Sequence, residues 1–332
     1  GMLFADRTPT PKMTEAKKVH QQVNFYADSL EAVPGGTLSL QVVNEYENTS
    51  LDAFSISWEL WEDGIKKLGG DDLNLTTPAM KGKSLMTGDH VEDFSIELPM
   101  FEAMEGRDYL LNISVKLKEG NAWAKKDYEI ASQQFQLTLP GTAQEEAEPT
   151  TKEFTKMEQL GSRLTLEGMT DNNQKFAIVL DTAKGIILSY SLDGTLVMTQ
   201  GPEQSLYRAE TYNDTTVGKD GNLKNAGSYE NLSNVEVAVT QDNSRVLMAM
   251  SGSMKVDASA LMAYQIYGNG EIVVLSQFLP NSNFAPNGLP KIGGRMMISG
   301  EFDNLTYYGR GPEENYVDRK SGYDVGVYQS VV

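Results

Sequence analysis

The chain has 332 residues, 40% of them apolar and 22% charged, with a net charge of −18 and no cysteine. That length suits about two domains with cores of their own, and the acidic balance argues against nucleic acid and anionic membrane surfaces as partners, because both would repel it. The missing cysteines exclude a disulfide scaffold, a thiol nucleophile and a thiolate zinc site, and they leave the compartment, cytoplasmic or periplasmic, open.

Gly1 to Pro11 reads as extended and proline-punctuated, and Thr14–Val19 as one or two helical turns. Leu3 and Phe4 have no local apolar partner, so the reading is of a chain continued from a longer polypeptide. From Val23 to Pro140 the period-two signal is strong: Leu38, Leu40, Val42; Phe54, Ile56, Trp58, Leu60; Phe94, Ile96, Leu98; Leu111 to Leu117; Phe135, Leu137, Leu139. Turn chemistry separates these runs at Pro34-Gly35-Gly36, Glu62-Asp63-Gly64, Gly69-Gly70-Asp71 and Glu119-Gly120-Asn121. Six or seven short strands predict an immunoglobulin-like β-sandwich over residues 23–140.

Residues 141–151 are acidic and poor in apolar side chains, as in an interdomain linker. Strands are predicted again over 163–167, 176–180, 186–190, 195–199, 235–239, 246–250, 261–267, 272–278 and 296–298. Leu192-Asp193-Gly194 and Tyr267-Gly268-Asn269-Gly270 supply hairpin signals. Residues 152–332 therefore read as a larger antiparallel β domain, and the class is all-β. Strand-like apolar residues still run at Val332, so that domain is expected to be incomplete.

The densest polar stretch is Tyr307-Tyr308-Gly309-Arg310-Gly311-Pro312-Glu313-Glu314-Asn315-Tyr316-Val317-Asp318-Arg319. Two glycines and a proline make its backbone tight, and rigid loops of this kind present side chains to ligands or partners. The alternative is a structural turn whose arginines pair with its own acids. Glycoside hydrolysis needs two carboxylates ~5–9 Å apart, and the adjacent Glu313 and Glu314 are expected on opposite faces of an extended backbone. Asn44-Glu45 at a strand end imitates a barrel acid/base signature, yet it sits in a predicted sandwich without βα repeats. Asn213-Asp214 to Asp220-Gly221-Asn222 offers oxygen ligands for calcium without EF-hand spacing. Two histidines, His20 and His90, are both expected at the surface, and no Walker or dinucleotide pattern occurs.

Tyr308-Gly309-Arg310-Gly311-Pro312-x-Glu314-Asn315-Tyr316-x-Asp318-Arg319 resembles a signature of family 2 glycoside hydrolases of the large β-galactosidase type. Gly1-x-x-Phe4-Ala5-Asp6-Arg7-Thr8-Pro9 with Glu15-x-Lys17 is similar to the segment leaving their catalytic barrel. Asn121-Ala122-Trp123-Ala124, Glu129-Ile130-Ala131 and Gln134-Phe135 resemble the last strands of their second immunoglobulin-like domain, with Asp127-Tyr128 where the family has Gly-His. Leu289-Pro290-Lys291-Ile292-Gly293 resembles their strand entry before the signature. The four blocks come in the family's order.

The resemblance implies a barrel exit over 1–22, the sandwich over 23–140, and a β-supersandwich akin to galactose mutarotases over 152–332. The acid/base and nucleophile glutamates and the magnesium of the parent would lie in the barrel upstream of Gly1, so no catalytic residue, metal or cofactor is expected here. The family's Arg-Ala-Pro-x-Asp-Asn-Asp loop stands as Arg208-Ala209-Glu210-Thr211-Tyr212-Asn213-Asp214, lacking its Pro and first Asp. Candidate carbohydrate contacts are Arg208, Asn213, Asp214, Tyr308, Arg310, Glu314, Asn315 and Tyr316. Gly309, Gly311, Pro312, Asp318 and Arg319 are expected to be structural.

The leading expectation is a non-catalytic region that braces the cleft of a β-galactosidase and its oligomer, with the parent's barrel, a further copy and galactosides or other carbohydrate as partners. A carbohydrate-binding module is the alternative, with Tyr308, Tyr316, Arg310 and Trp123 offering stacking and polar contacts. Aldose epimerase activity is more remote, because it calls for a proton-transferring histidine and residues 152–332 contain none.

Overall fold

A computed structural model describes residues 1–70, 73–83, 88–140, 152–209, 229–255, 257–282 and 291–332. The expected linker at 141–151, the oxygen-rich loop at 213–222 and Leu289-Pro290 lie outside the described residues. The chain forms two compact units, one of Gly1–Glu145 with Asp303–Val332 and one of Glu146–Phe302.

The first unit opens with helix α1, Pro11–Val19, with the proline in its first turn, where the missing N–H is no loss. Seven strands follow: β1 (Val23–Tyr26), β2 (Thr37–Asn44), β3 (Phe54–Glu62), β4 (Ile65–Gly70), β5 (Val91–Glu97), β6 (Tyr109–Leu117) and β7 (Glu129–Leu137). They build a three-stranded sheet, β1-β2-β5, and a four-stranded sheet, β4-β3-β6-β7, all antiparallel. Leu38, Leu40, Val42 and Ile96 from one sheet share a core with Ile56, Trp58, Leu60, Leu111, Ile113 and Val115 from the other. Alternation in the sequence thus becomes an inner face, and the three-plus-four arrangement is that of an immunoglobulin-like sandwich.

Two details depart from the sequence reading. Gly69 and Gly70 are not a turn; they continue β4 opposite Glu59 and Trp58. A Cβ on Gly70 would stand 2.4 Å from Trp58 Nε1, so the glycine lets the strand lie against the indole. His90 is fully buried, whereas His20 is exposed.

A feature not foreseen is Tyr109, buried at the start of β6. Its hydroxyl accepts from Met104 N at 2.9 Å and donates to Glu62 Oε1 at 2.8 Å. A tyrosine at the head of this strand, bonded back to backbone a few residues upstream, is a recurrent corner of such sandwiches.

The second unit holds β8 (Lys156–Leu160), β9 (Arg163–Met169), β10 (Lys175–Asp181), β11 (Ile186–Leu192), β12 (Thr195–Ser205), β13 (Tyr229–Val239), β14 (Arg245–Met254), β15 (Ala258–Tyr267), β16 (Ile272–Pro280) and β17 (Gly293–Ile298). A six-stranded sheet runs β17-β12-β11-β10-β9-β8 and a four-stranded one β13-β14-β15-β16. Leu164, Leu166, Phe176, Ile178 and Leu180 pack with Val246, Met248, Met262, Tyr264 and Ile266 in one core. The Asp193-Gly194 turn takes positive φ at both residues, 46° and 81°, as a two-residue type I′ hairpin requires. Each predicted strand here is present and several run longer, because cross-strand pairing carries a strand past its apolar run.

The first unit closes with the antiparallel hairpin β18 (Asn304–Gly311) and β19 (Asp324–Val331), in register from Asn304 opposite Val331 to Gly311 opposite Asp324. The polar stretch singled out in the sequence is the end of β18 and the loop that follows it.

Candidate functional site

The loop between β18 and β19 begins with a cis Gly311–Pro312 bond and folds on itself, Tyr316 and Arg319 exchanging both backbone hydrogen bonds at 3.0 and 2.9 Å. Gly311 is buried with its Cα toward Tyr307 and Tyr328; a Cβ there would meet the Tyr307 hydroxyl at 2.4 Å. Only glycine fits that approach.

The loop's polar heads are largely engaged within its own unit. Arg310 Nη1 donates to the Tyr323 carbonyl at 2.7 Å, and Asn315 Nδ2 donates to the Arg310 carbonyl at 3.1 Å. Arg319 Nη2 pairs with Glu314 Oε1 at 2.9 Å. With Glu314 73% exposed, that pair is worth only ~0–1 kcal/mol. Glu313 Oε2 instead accepts from Thr14 Oγ1 at 3.3 Å and lies 3.3 Å from the oxygen of the buried Tyr323 hydroxyl. The two adjacent carboxylates thus answer to different partners.

Tyr308 reaches the sandwich, its hydroxyl donating to Asp108 Oδ2 at 2.9 Å. Burial first, then the Asp108 carboxylate, push that phenol well above its ordinary range. Tyr316 and Asp318 are exposed at the loop tip. Arg208 lies in the second unit, with Nη1 donating to the Ala209 carbonyl at 3.1 Å; Asn213 and Asp214 lie outside the described residues. The structure therefore brings Tyr308, Arg310, Glu314, Asn315 and Tyr316 together in one hairpin.

Several contributing residues escaped the sequence reading. The Glu15 carboxylate on α1 accepts from Ser321 N at 3.2 Å and Gly322 N at 2.7 Å, and the Tyr323 hydroxyl donates to the Pro11 carbonyl at 2.6 Å. Gln134 on β7 bonds both backbone groups of Val325. These partners are ~190 to 310 positions apart, and no local signal announces such pairings. The Asn44-Glu45 pair is structural: buried Asn44 donates from Nδ2 to the carbonyls of Thr49, Thr77 and Pro78, and Glu45 accepts from Asn24 at 2.8 Å. Among the described residues no three His, Asp or Glu side chains gather as a group able to hold a metal ion.

Residues 172–332 match the family model of the β-galactosidase small chain, and residues 40–138 match that of β-galactosidase domain 4. Both halves of the chain match β-galactosidase domains. The β-galactosidase of Priestia megaterium is 28% identical over 343 residues, covering 100% of this chain and 30% of the relative. That of Lactobacillus delbrueckii subsp. bulgaricus is 29% identical over 337 residues, and that of Streptococcus thermophilus 24% over 335, again across 100% of this chain and 30% of theirs. The chain thus spans 30% of the length of these β-galactosidases. The domain 4 match falls on the sandwich, and the small-chain match runs from β10 through the rest of the second unit and the β18–β19 hairpin, leaving β8 and β9 before it.

Proposed function

We propose that the chain is a non-catalytic C-terminal region of a glycoside hydrolase family 2 β-galactosidase of the large type, comprising its second immunoglobulin-like domain and most of its β-supersandwich. Its work is to brace the active-site cleft of the parent's catalytic barrel and to support the parent's oligomer. The parent reaction, retaining hydrolysis of terminal β-D-galactosides, is carried by glutamates and a magnesium site outside these residues.

The observation that carries this reading is the state of the signature loop. Its arginines and carboxylates bond to the loop, to α1 and to the hairpin strands, which supports a stiffened structural role. Exposed apolar side chains on β16 and β17, among them Leu275, Met296 and Ile298, offer the second unit a surface for the parent's remaining parts.

The test is a chromogenic β-galactoside assay on the purified 332-residue chain. No turnover above buffer is expected. Turnover that disappears in Glu314→Gln would overturn the reading, since it would make the loop an active site.

A further inference from the structure

Helix α1 is too short to hold itself. It has nine residues, no side-chain hydrogen bond at its Thr10 cap and no buried side chain. A helix below about 12–15 residues is marginal in water without packing, so the order of α1 comes from what grips it. Two different parts of the first unit do so. The second half is fastened to the sandwich: Lys18 Nζ donates to the Ser132 carbonyl and to Gln133 Oε1 on β7, and Lys17 Nζ stands 4.9 Å from the centre of the Tyr128 ring.

The first half is fastened to the loop between β18 and β19. The Tyr323 hydroxyl donates to the Pro11 carbonyl at 2.6 Å, Thr14 Oγ1 donates to Glu313 Oε2 at 3.3 Å, and the Glu15 carboxylate accepts from Ser321 N and Gly322 N. The approach is close: a Cβ on Gly322 would stand 2.9 Å from the Thr14 carbonyl oxygen and 3.0 Å from Glu15 Cα. Both ends of the loop, Glu313 and Ser321 to Tyr323, thus close on the stretch from Pro11 to Glu15. The tip between them is tied by the paired backbones of Tyr316 and Arg319. The loop gains as much as the helix does, because Glu15 satisfies two of its backbone donors, and a donor left without a partner is costly.

We propose that this loop and the first half of α1 form a clasp, one cooperative unit in which order at the loop tip and order in the chain entering at Pro11 rise and fall together. Coupling of this kind is reciprocal. Whatever steadies the chain ahead of Pro11 tightens the loop tip, and whatever holds the tip tightens α1. The second half of the helix keeps its own attachment to β7. The use of the clasp rests on the reading proposed above, in which the chain ahead of Pro11 leads from the parent's barrel and the hairpin steadies it through α1. The coupling itself lies within this chain.

The test is amide hydrogen exchange on the whole 332-residue chain, read at Ala16 in the helix and at Tyr316 and Arg319 across the loop. Tyr323→Phe deletes the bond to Pro11 and leaves the ring in place. It is expected to speed exchange about tenfold at Tyr316 and Arg319 as well as at Ala16. In the reverse arm, Asn315→Ala removes the ties to the Arg310 and Glu313 carbonyls and is expected to speed Ala16 by a similar factor. Ile113, in the middle of β6, is expected to keep its rate in both arms. Glu15→Gln serves as a second forward variant should Tyr323→Phe unfold the chain. Effects confined to the altered side in either arm, or equal acceleration of Ile113, overturn the proposal. Such a failure leaves the bracing reading standing, since that reading turns on β-galactoside turnover.

Discussion

The side chain of Gln134 stands in for a strand beside Val325: its Oε1 accepts from Val325 N at 2.7 Å and its Nε2 donates to the Val325 carbonyl at 2.9 Å. One amide thereby satisfies both backbone groups of a residue on β19 from a position on β7. The same Nε2 also donates to Asn112 Oδ1 at 2.9 Å, which fixes the rotamer.

Gln134→Ala leaves two backbone groups of Val325 without their partner. A loss of about 1–3 kcal/mol is expected, the range for backbone groups left unsatisfied out of water. Urea unfolding should show it as a lower midpoint, and amide exchange should quicken from Asp324 to Val331. Exchange unchanged in β19 would show that other contacts hold the hairpin.

Tyr109→Phe removes the hydroxyl that links Met104 N and Glu62 Oε1 at the head of β6. The ring still fills its place in the core, so the expected cost is that of the hydrogen bonds alone, about 1–2 kcal/mol. A cost near zero would mean that water replaces the hydroxyl.

Gly70→Ala introduces a Cβ 2.4 Å from Trp58 Nε1 and 2.8 Å from Cε2. Either the indole or β4 must shift, and overpacking of this kind costs about 1–3 kcal/mol. Gly300→Ala is the control, because nothing lies within 4 Å of its Cβ. Thermal melting should separate the two, with quenched or shifted Trp fluorescence only in Gly70→Ala.

Asp242, in the turn between β13 and β14, is held at about 2 against an ordinary 3.8, chiefly by the Thr240 hydroxyl and then by the hydroxyl and N–H of Ser244. Its folded-state pKa is depressed, so the stability it lends is present above 3.8 and is lost as pH falls through about 2. Carboxyl-carbon NMR titration should place the midpoint there, and Ser244→Ala should move it upward. A midpoint at 3.8 in the unaltered chain would contradict the turn geometry.

Asp324 has the opposite sign. Burial raises its carboxyl above 3.8, Lys18 and Arg310 pull it down, and Glu129 adds to the rise. Between 3.8 and the folded value the folded chain keeps a proton that the unfolded chain has released, so this residue's contribution to stability declines as pH rises through that window. Asp324→Asn should flatten the corresponding part of the stability–pH curve. An identical curve in the variant would place the carboxylate in water.

The sandwich was legible because burial on one face imprints period two on each strand, and Leu38, Leu40, Val42 or Leu111, Ile113, Val115 follow it without interruption. Gly69-Gly70 misled because two glycines signal a turn or a close approach equally well, and only the position of Trp58 decides which. Strand β18 was not predicted, since Tyr308-Gly309-Arg310-Gly311 lacks an apolar face and extends through pairing with Gly326, Val325 and Asp324 of β19, whose apolar end at Val331 was read as strand-like.

By itself, the sequence determined the all-β class, most of the strands, and the block of residues that the β-galactosidase models match. Those follow from local patterning, which each segment carries alone. Only the tertiary structure decided that Asn304–Val331 packs in the unit of the sandwich, that Glu313 and Glu314 answer to different partners, and that the loop between β18 and β19 closes on α1. Each of these depends on side chains meeting groups from about 5 to about 300 positions away, where hydrogen-bond geometry and burial rather than local patterning set the outcome.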